Sequence, residues 1–191
     1  MRIRQGHKSE ARDIARLIMK AMSYECCLYY IGEEHSLEEF EDMMTELVGL
    51  ELSQYSYKNT SVAVSDNDEV IGICVSYDGA MLHTLRQSFV EATMRLFQQD
   101  HSGIQDETQP GELYIDSLAV DERYRGQGVA TDLLRHATSK ALQMNIPAVG
   151  LLVDKANPRA ERLYTRVGFC YVNDSEWGGH AMKHLQKRTN E

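Results

Sequence analysis

The run LAVDERYRGQGVATDLL, Leu118 to Leu134, constrains the fold of this chain more than any other stretch. An apolar, strand-like segment ends at Val120. An amphipathic helical series opens at Val129 and continues through Leu133, Leu134 and Ala137. The turn between them holds Gly126 and Gly128, with Arg123 and Arg125 just before. A strand, a glycine turn and a helix in that order aim the helix's unbonded N–H groups and its partial positive charge at one point. Glycine lets backbone approach an anion closely, so the turn reads as a cradle for phosphate oxygens. The helix dipole contributes only roughly 0.3–1 kcal/mol at an exposed site, whereas charge-assisted bonds from arginine are the stronger kind. Local positive charge stands out because the chain carries a formal net charge of −9. That acidity argues against general nucleic-acid binding, which needs basic surface to displace counterions.

The 191 residues suffice for one domain with a substantial core. Arg2–Gln5 alternates as a short strand does, and Ser9 is the expected N-cap of a helix carrying Ile14, Leu17, Ile18 and Ala21 on one face. Ser36 and Glu39 form a capping box ahead of Phe40, Met43, Met44 and Leu47. Ser61–Val64 and Val70–Tyr77 read as a hairpin across an Asp-Asn-Asp turn. A helix is expected over Ala80–Gln99, then a polar loop, the strand ELYIDSLAV, a helix over Gly126–Met144, and the buried strand AVGLLVD. Asn157–Val167 is a helix with Pro158 in its first turn and Gly168 past its end. Phe169–Val172 and Gly179–Met182 complete the strands. No repeat or linker divides the chain, so the reading is a single α/β domain over 1–191.

A Walker A loop, GxxxxGK[ST], is absent. A Rossmann turn is disfavoured because GQGVAT lacks the third glycine and DERYR separates strand from glycines. Instead, Arg123-Tyr124-Arg125-Gly126-Gln127-Gly128 resembles motif A, [QR]xxGxG/A, of the GNAT N-acetyltransferase superfamily, and NPRAERLYTRVGF, Asn157–Phe169, resembles its motif B. The two follow in the family's order with an apolar strand between them. IRQGHKSEARDIARLI and VAVSDNDEVIGICVS also resemble family segments, more loosely.

The resemblance implies a GNAT fold: a mixed central β-sheet flanked by helices, with two splayed parallel strands forming an acyl-CoA cleft. It implies acetyl-CoA as cosubstrate and transfer of its acetyl group to a primary amine of a small metabolite, amino acid, peptide or protein. Leu118, Ala119 and Val120 would pair with the pantetheine arm. Arg123, Arg125, Gly126, Gln127, Gly128, Val129, Ala130 and Thr131 would cradle the pyrophosphate, and Asn157 would meet the cofactor from the opposite wall or serve purely as a helix cap. Tyr164 is placed as the acid for the departing thiolate, with core packing as its competing role. Glu112 and Asp116 share strand parity with Tyr114 and Leu118, and either carboxylate could take the amine's proton if no bulge intervenes, or be an ordinary strand-end carboxylate; the resemblance, which implies such a Glu near the start of this strand, favours Glu112.

The chain departs from the family over 79–111, where a helical insertion replaces a short turn and would flank the acceptor side or form a contact between copies in a homodimer. The alternative function is a non-catalytic acyl-CoA-binding or sensing domain. Cys26, Cys27, Cys74 and Cys170 lack zinc-type spacing, and His83, His101, His136, His180 and His184 show no ligand pattern, so no metal is expected. With no run of ~20 apolar residues and no secretion signal, the expectation is a cytoplasmic protein with reduced thiols and no membrane partner. The acidic residues Glu38, Glu41, Asp42 and Glu46 fit a solvated helix face as well as a cationic partner.

Overall fold

A computed structural model of the chain describes residues 1–190. The strands β1 (Arg2–Gln5), β2 (Thr60–Val64), β3 (Val70–Asp78), β4 (Glu112–Val120), β5 (Ala148–Asp154), β6 (Cys170–Trp177) and β7 (His180–Arg188) form one sheet in the order β1-β2-β3-β4-β5-β7-β6. Every neighbouring pair is antiparallel except β4–β5. The helices are α1 (Ala11–Ala21), α2 (Tyr24–Ile31), α3 (Leu37–Gly49), α4 (Leu82–Phe97), α5 (Val129–Gln143) and α6 (Pro158–Val167). This is a mixed central sheet flanked by helices, as the resemblance implies.

Strand alternation divides the core between the two faces of the sheet. Val62 and Val64 point to one face, where Ile14, Ile18, Phe40, Met43, Leu47 and Phe89 of α1, α3 and α4 cover them. Ala63 points to the other, against Leu133, Leu134 and Ala137 of α5 and against Phe169 beyond α6. Gly72 permits that close approach: a Cβ there would lie 3.1 Å from Val129 Cγ1 and 3.2 Å from the Ala119 carbonyl oxygen. Gly72 thereby sets how near the first turn of α5 sits to the sheet.

Several local expectations shift. Ser9 is not the first N-cap: Lys8–Glu10 is a 3-10 turn, and α1 starts at Ala11. There the Glu10 carboxylate accepts the His7 N–H at 2.8 Å while pairing with Arg4. The Ser36–Glu39 capping box forms as expected, with the Glu39 N–H donating to Ser36 Oγ at 3.2 Å. The sequence reading missed α2, an eight-residue helix capped by Ser23 that carries Cys26 and Cys27. The last two strands run longer than the expected Phe169–Val172 and Gly179–Met182, since β6 continues through Trp177, Gly178 and Gly179 bend the chain, and β7 extends to Arg188. Among the described residues no helix is long and apolar enough to cross a membrane.

Two features open the sheet at its centre. Parallel pairing of β4 with β5 extends only over Glu112–Ala148, Leu113–Val149 and Tyr114–Gly150, after which the strands part. Just beyond, Val75 pairs with Ser117 and Ser76 with Ile115, so Asp116 is an extra residue in β4. The bulge reverses side-chain parity. Leu118 and Val120 pack with the α5 cluster, whereas Ala119 belongs to the cluster under α1 and α3.

Glu112 lies at the vertex of the opening, not in it. Its carboxylate is fully buried, beside the site that a Cβ of Gly150 would occupy. Thr108 Oγ1 and Gln186 Nε2 each donate to it at 2.7 Å, and His184 Nε2 lies at 2.8 Å. Burial raises its pKa, but the bonds from His184, Gln186 and Thr108 outweigh that and hold it below the usual range. The expectation that Glu112 faces the cleft is therefore corrected. Its oxygens are committed to tying β4 to β7 across β5. Glu112→Ala strands these buried groups at roughly 1–3 kcal/mol each, so urea denaturation should register a loss of at least ~3 kcal/mol.

Candidate active site

Where β4 and β5 part, a cavity of about 800 Å³ opens. Asp116, Ser117 and Leu118 of β4, Asp154 after the divergence of β5, Asn157, and Tyr164 of α6 all lie on its wall. The opposite end is closed by α2, by the segment around Gln54 and Tyr55, by Arg86 and Glu107, and by the β6–β7 hairpin at Trp177. Of the three carboxyl and phenol groups singled out in the sequence, Asp116 and Tyr164 reach this cavity and Glu112 does not.

The glycine turn supplies what an anion needs. Glu122–Tyr124 forms a 3-10 turn capped by Asp121, and then Gly126 and Gly128 adopt φ of +77° and +87°. No atom lies within 4 Å of where a Cβ would stand on either glycine, so their absent side chains leave open approach to the backbone. Gly128 is the N-cap of α5 and no side chain caps that end, which leaves the first-turn N–H groups of Val129, Ala130 and Thr131 outward and unbonded within the helix. An uncapped helix start at a solvent-facing glycine turn fits a diphosphate.

The two arginines separate in the structure. The Arg123 guanidinium is held by Asp121, at 3.1 Å, and by Glu69, and it lies beside the Tyr124 ring. It is anchored toward the β2–β3 turn, so its side chain does not line the cradle as expected. Gln127 Nε2 donates to the Arg123 carbonyl at 3.2 Å and stiffens the bend. Arg125 is half-exposed, its Nε donates to the Val120 carbonyl at 3.3 Å, and its nearest carboxylate is Glu122 at 3.7 Å. Arg125 is the cradle's available cation.

Asn157 is the N-cap of α6, accepting the Ala160 N–H at 3.1 Å, and it also lies on the cavity wall, so the cap and the contact are compatible. Tyr164 packs edge-on to Phe169 with ring centroids 6.0 Å apart. Burial pushes its phenol up to about 12. It is thus protonated at any neutral pH, a hydrogen-bond donor at the cavity wall.

Asp116 sits in a different setting. Ser117 Oγ donates to it at 2.8 Å and Gln54 Nε2 at 3.3 Å. Burial first, and then the neighbouring Glu107 carboxylate, push its pKa up to about 7 against the opposing Ser117 bond and Arg86 charge. A carboxyl group poised near neutrality at the closed end of a cavity is suited to proton transfer.

The sequence reading missed Gln54, Tyr77, Arg86 and Glu107 as parts of this site. Arg86 and Glu107 come from the 79–111 insertion, which was expected to flank the acceptor side without any residue being named. The Arg86 guanidinium donates to the Ile104 and Gln105 carbonyls, each at 3.0 Å, and pairs with Glu107. On the same wall, Gln54 Oε1 and Trp177 Nε1 are buried without a partner among the described residues.

Comparison with known proteins accords with this geometry. The chain is similar to an acetyltransferase of known crystal structure, with a TM-score of 0.82 and 31% identity over 99% of this chain and 100% of that one. It is also similar to an N-acetyltransferase from Staphylococcus aureus Mu50, with a TM-score of 0.77 and 25% identity over 97% and 100%. An acetyltransferase of Agrobacterium fabrum is 35% identical over 88 residues, 45% of this chain and 63% of that protein. A D-amino-acid N-acetyltransferase of Saccharomyces cerevisiae is 39% identical over 57 residues, 30% of this chain and 35% of its own. The chain thus spans less than two thirds of either of these two curated relatives. The profile of the Acetyltransferase (GNAT) family matches residues 23–169, the whole span from the α1–α2 junction to the end of the glycine-closed helix α6. The chain belongs to the GNAT acetyltransferase family.

Proposed function

We propose that this protein transfers the acetyl group of acetyl-CoA directly to a primary amine, with Asp116 as general base and Tyr164 as donor to the leaving sulfur. The observation that carries the reading is the position of Asp116. It is the bulge residue of β4, at the closed end of the cavity, with a proton affinity near neutrality. A lysine-like amine has a pKa near ~10.4, so about one molecule in a thousand is nucleophilic at neutral pH. Asp116 takes one proton from the ammonium, and the neutral amine's nitrogen then forms the N–C bond as the C–S bond breaks, its second proton leaving with the sulfur as the thiol. Arg125 and the amides from Gly126 to Thr131 hold the diphosphate, while Leu118, Ala119 and Val120 offer unpaired backbone to the pantetheine arm. Asn157 closes the opposite wall.

Tyr164 acts on the sulfur by hydrogen bonding. A thiol titrates near ~8.5, so full transfer from a phenol at about 12 is uphill by roughly 3–4 units. Its role is to stabilise the departing thiolate. The closed end of the cavity carries Glu25, Glu107 and Asp116 beside the aromatic rings of Tyr29 and Tyr30, a setting that favours a cationic amine over a carboxylate-bearing one.

Acetyl-CoA is expected to raise the melting temperature in proportion to its occupancy. Gly126→Val and Gly128→Val should abolish that shift, because β-branched residues resist φ near +80° and cover the amides. In an amine panel followed by thiol release, Asp116→Asn should lower kcat/KM by roughly 10²–10⁴-fold, and the wild-type profile should fall on its acid side around pH 7. Tyr164→Phe should lower kcat by about 10-fold or more with acetyl-CoA affinity retained. Binding without turnover on a broad panel, peptides included, would favour the sensing alternative.

The same residue gives a stability test. A carboxyl whose folded pKa is raised contributes stability below its unfolded value, near ~3.9, and loses it as the pH climbs through about 7. Asp116→Asn should therefore be more stable than wild type at pH 8, and less so, relative to wild type, at pH 5, as read by thermal melts at both pH values.

A further inference from the structure

Asp116 does not stand alone at the closed end of the cavity. Tyr77 of β3 directs its hydroxyl between two carboxyl groups, 3.1 Å from Glu107 Oε1 and 3.5 Å from Asp116 Oδ2. Glu107 is buried, which raises its pKa, while the pairing of its other oxygen with the Arg86 guanidinium opposes that rise. The Tyr77 hydroxyl donates to Glu107 and, at longer range, to Asp116, so one phenol bridges the two carboxyl groups. A donor favours the ionised form of Asp116, and the Glu107 carboxylate beside it favours the protonated form.

We propose that Glu107 and Tyr77 are positioning residues for acetyl transfer: Tyr77 bridges the chain Glu107–Tyr77–Asp116 and fixes the Asp116 carboxyl in place, and the nearby Glu107 carboxylate readies Asp116 to keep the proton released by the acceptor amine. The step balances: an ammonium and the Asp116 carboxylate become a neutral amine and the Asp116 carboxylic acid. The surroundings concentrate the effect. Cys26 and Tyr30 of α2, Tyr55, and Tyr114 of β4 are all raised by burial and stay neutral, so Glu107 is the anion felt most strongly by Asp116 and Arg86 the balancing cation. Asp106, farther out, meets Arg86 at 3.4 Å and the exposed His83 at 3.1 Å. Both Arg86 and Glu107 come from the segment between β3 and β4, so this insertion supplies the base with its partner. The inference rests on the proposed acetyl transfer only for the source of the proton.

Carbon-13 NMR of the aspartate and glutamate carboxyl groups, titrated from pH 3 to 9, tests the chain without turnover. In the wild type the Asp116 carboxyl is expected to titrate around pH 7, and Glu107→Gln should move it down by about one unit or more, with the acid limb of kcat/KM moving by the same amount. Glu107→Gln leaves Arg86 buried without its partner, so Tyr77→Phe, which preserves that ion pair, is the second variant. It should raise the midpoint, because the ionised Asp116 carboxylate loses a donor. A wild-type midpoint near ~3.9, no movement in Glu107→Gln, or a fall in Tyr77→Phe would overturn the proposal. Shifted midpoints in a protein that turns over no amine would sink the acetyl-transfer reading and leave the chain standing. Turnover with an unshifted Asp116 would do the reverse.

Discussion

Beyond the Tyr114–Gly150 pair, the backbone groups of β4 that point toward β5 no longer have a strand to bond. An interior sheet gap of this kind is costly unless water or a ligand fills it, since each buried unpaired backbone group costs roughly 1–3 kcal/mol. The surrounding architecture holds the gap open. Glu112 fixes the vertex through Thr108, His184 and Gln186, and the missing side chain of Gly150 leaves room for its carboxylate. The extra residue Asp116 bends β4 away just past the vertex, and α6 with its Asn157 cap occupies the far wall. A ligand with amides along an extended arm suits such a gap, as the proposed pantetheine contacts require.

Two electrostatic settings lie toward the two ends of the open β4 edge, Asp116 at one and the glycine turn at the other. At the glycine turn, uncapped amides and Arg125 present positive potential to the outside, though the chain as a whole is acidic. At the closed end, burial and neighbouring carboxylates make negative charge expensive, and Asp116 responds by holding its proton near neutrality. The proposed transfer puts a phosphate-bearing donor at the turn and an amine acceptor near Asp116, and it depends chiefly on holding both in place. Stability is spent on this arrangement. A buried carboxyl group with few donors weakens the fold at neutral pH, a common property of sites built for reaction.

Much of this was legible in the chain. The strand–glycine–helix order of Leu118–Leu134 and the Asn157–Phe169 helix were legible because both depend on local backbone rules, and the family resemblance singled out Tyr164, which reaches the cavity wall. Periodicity located α1, α3, α5 and the central strands within a few residues. Three things were not legible. The bulge at Asp116 and the point where β4 and β5 part leave no local signature, so parity and the family resemblance put Glu112 in the cleft. The guanidinium of Arg123 is claimed by Glu69, fifty-four positions away in sequence, a pairing that only the tertiary fold creates. The acceptor end collects Gln54, Tyr77, Arg86 and Glu107 from separate segments, and α2 is too short for its periodicity to announce itself. Expectations for a homodimer, for cytoplasmic residence and for one domain over 1–191 rest on the sequence reading alone.

The central claim is that main-chain amides of one bend, Gly126 to Thr131, grip the diphosphate beside an open β4 edge. The most direct measurement is a backbone amide NMR titration with acetyl-CoA, with 3′,5′-ADP as a second ligand that lacks the pantetheine arm. The account predicts that acetyl-CoA shifts the N–H resonances of Gly126–Thr131 and of Leu118–Val120 together, whereas 3′,5′-ADP leaves the β4 set unmoved. Acetyl-CoA-induced shifts confined to residues remote from both segments, or no shifts at millimolar ligand, would contradict it.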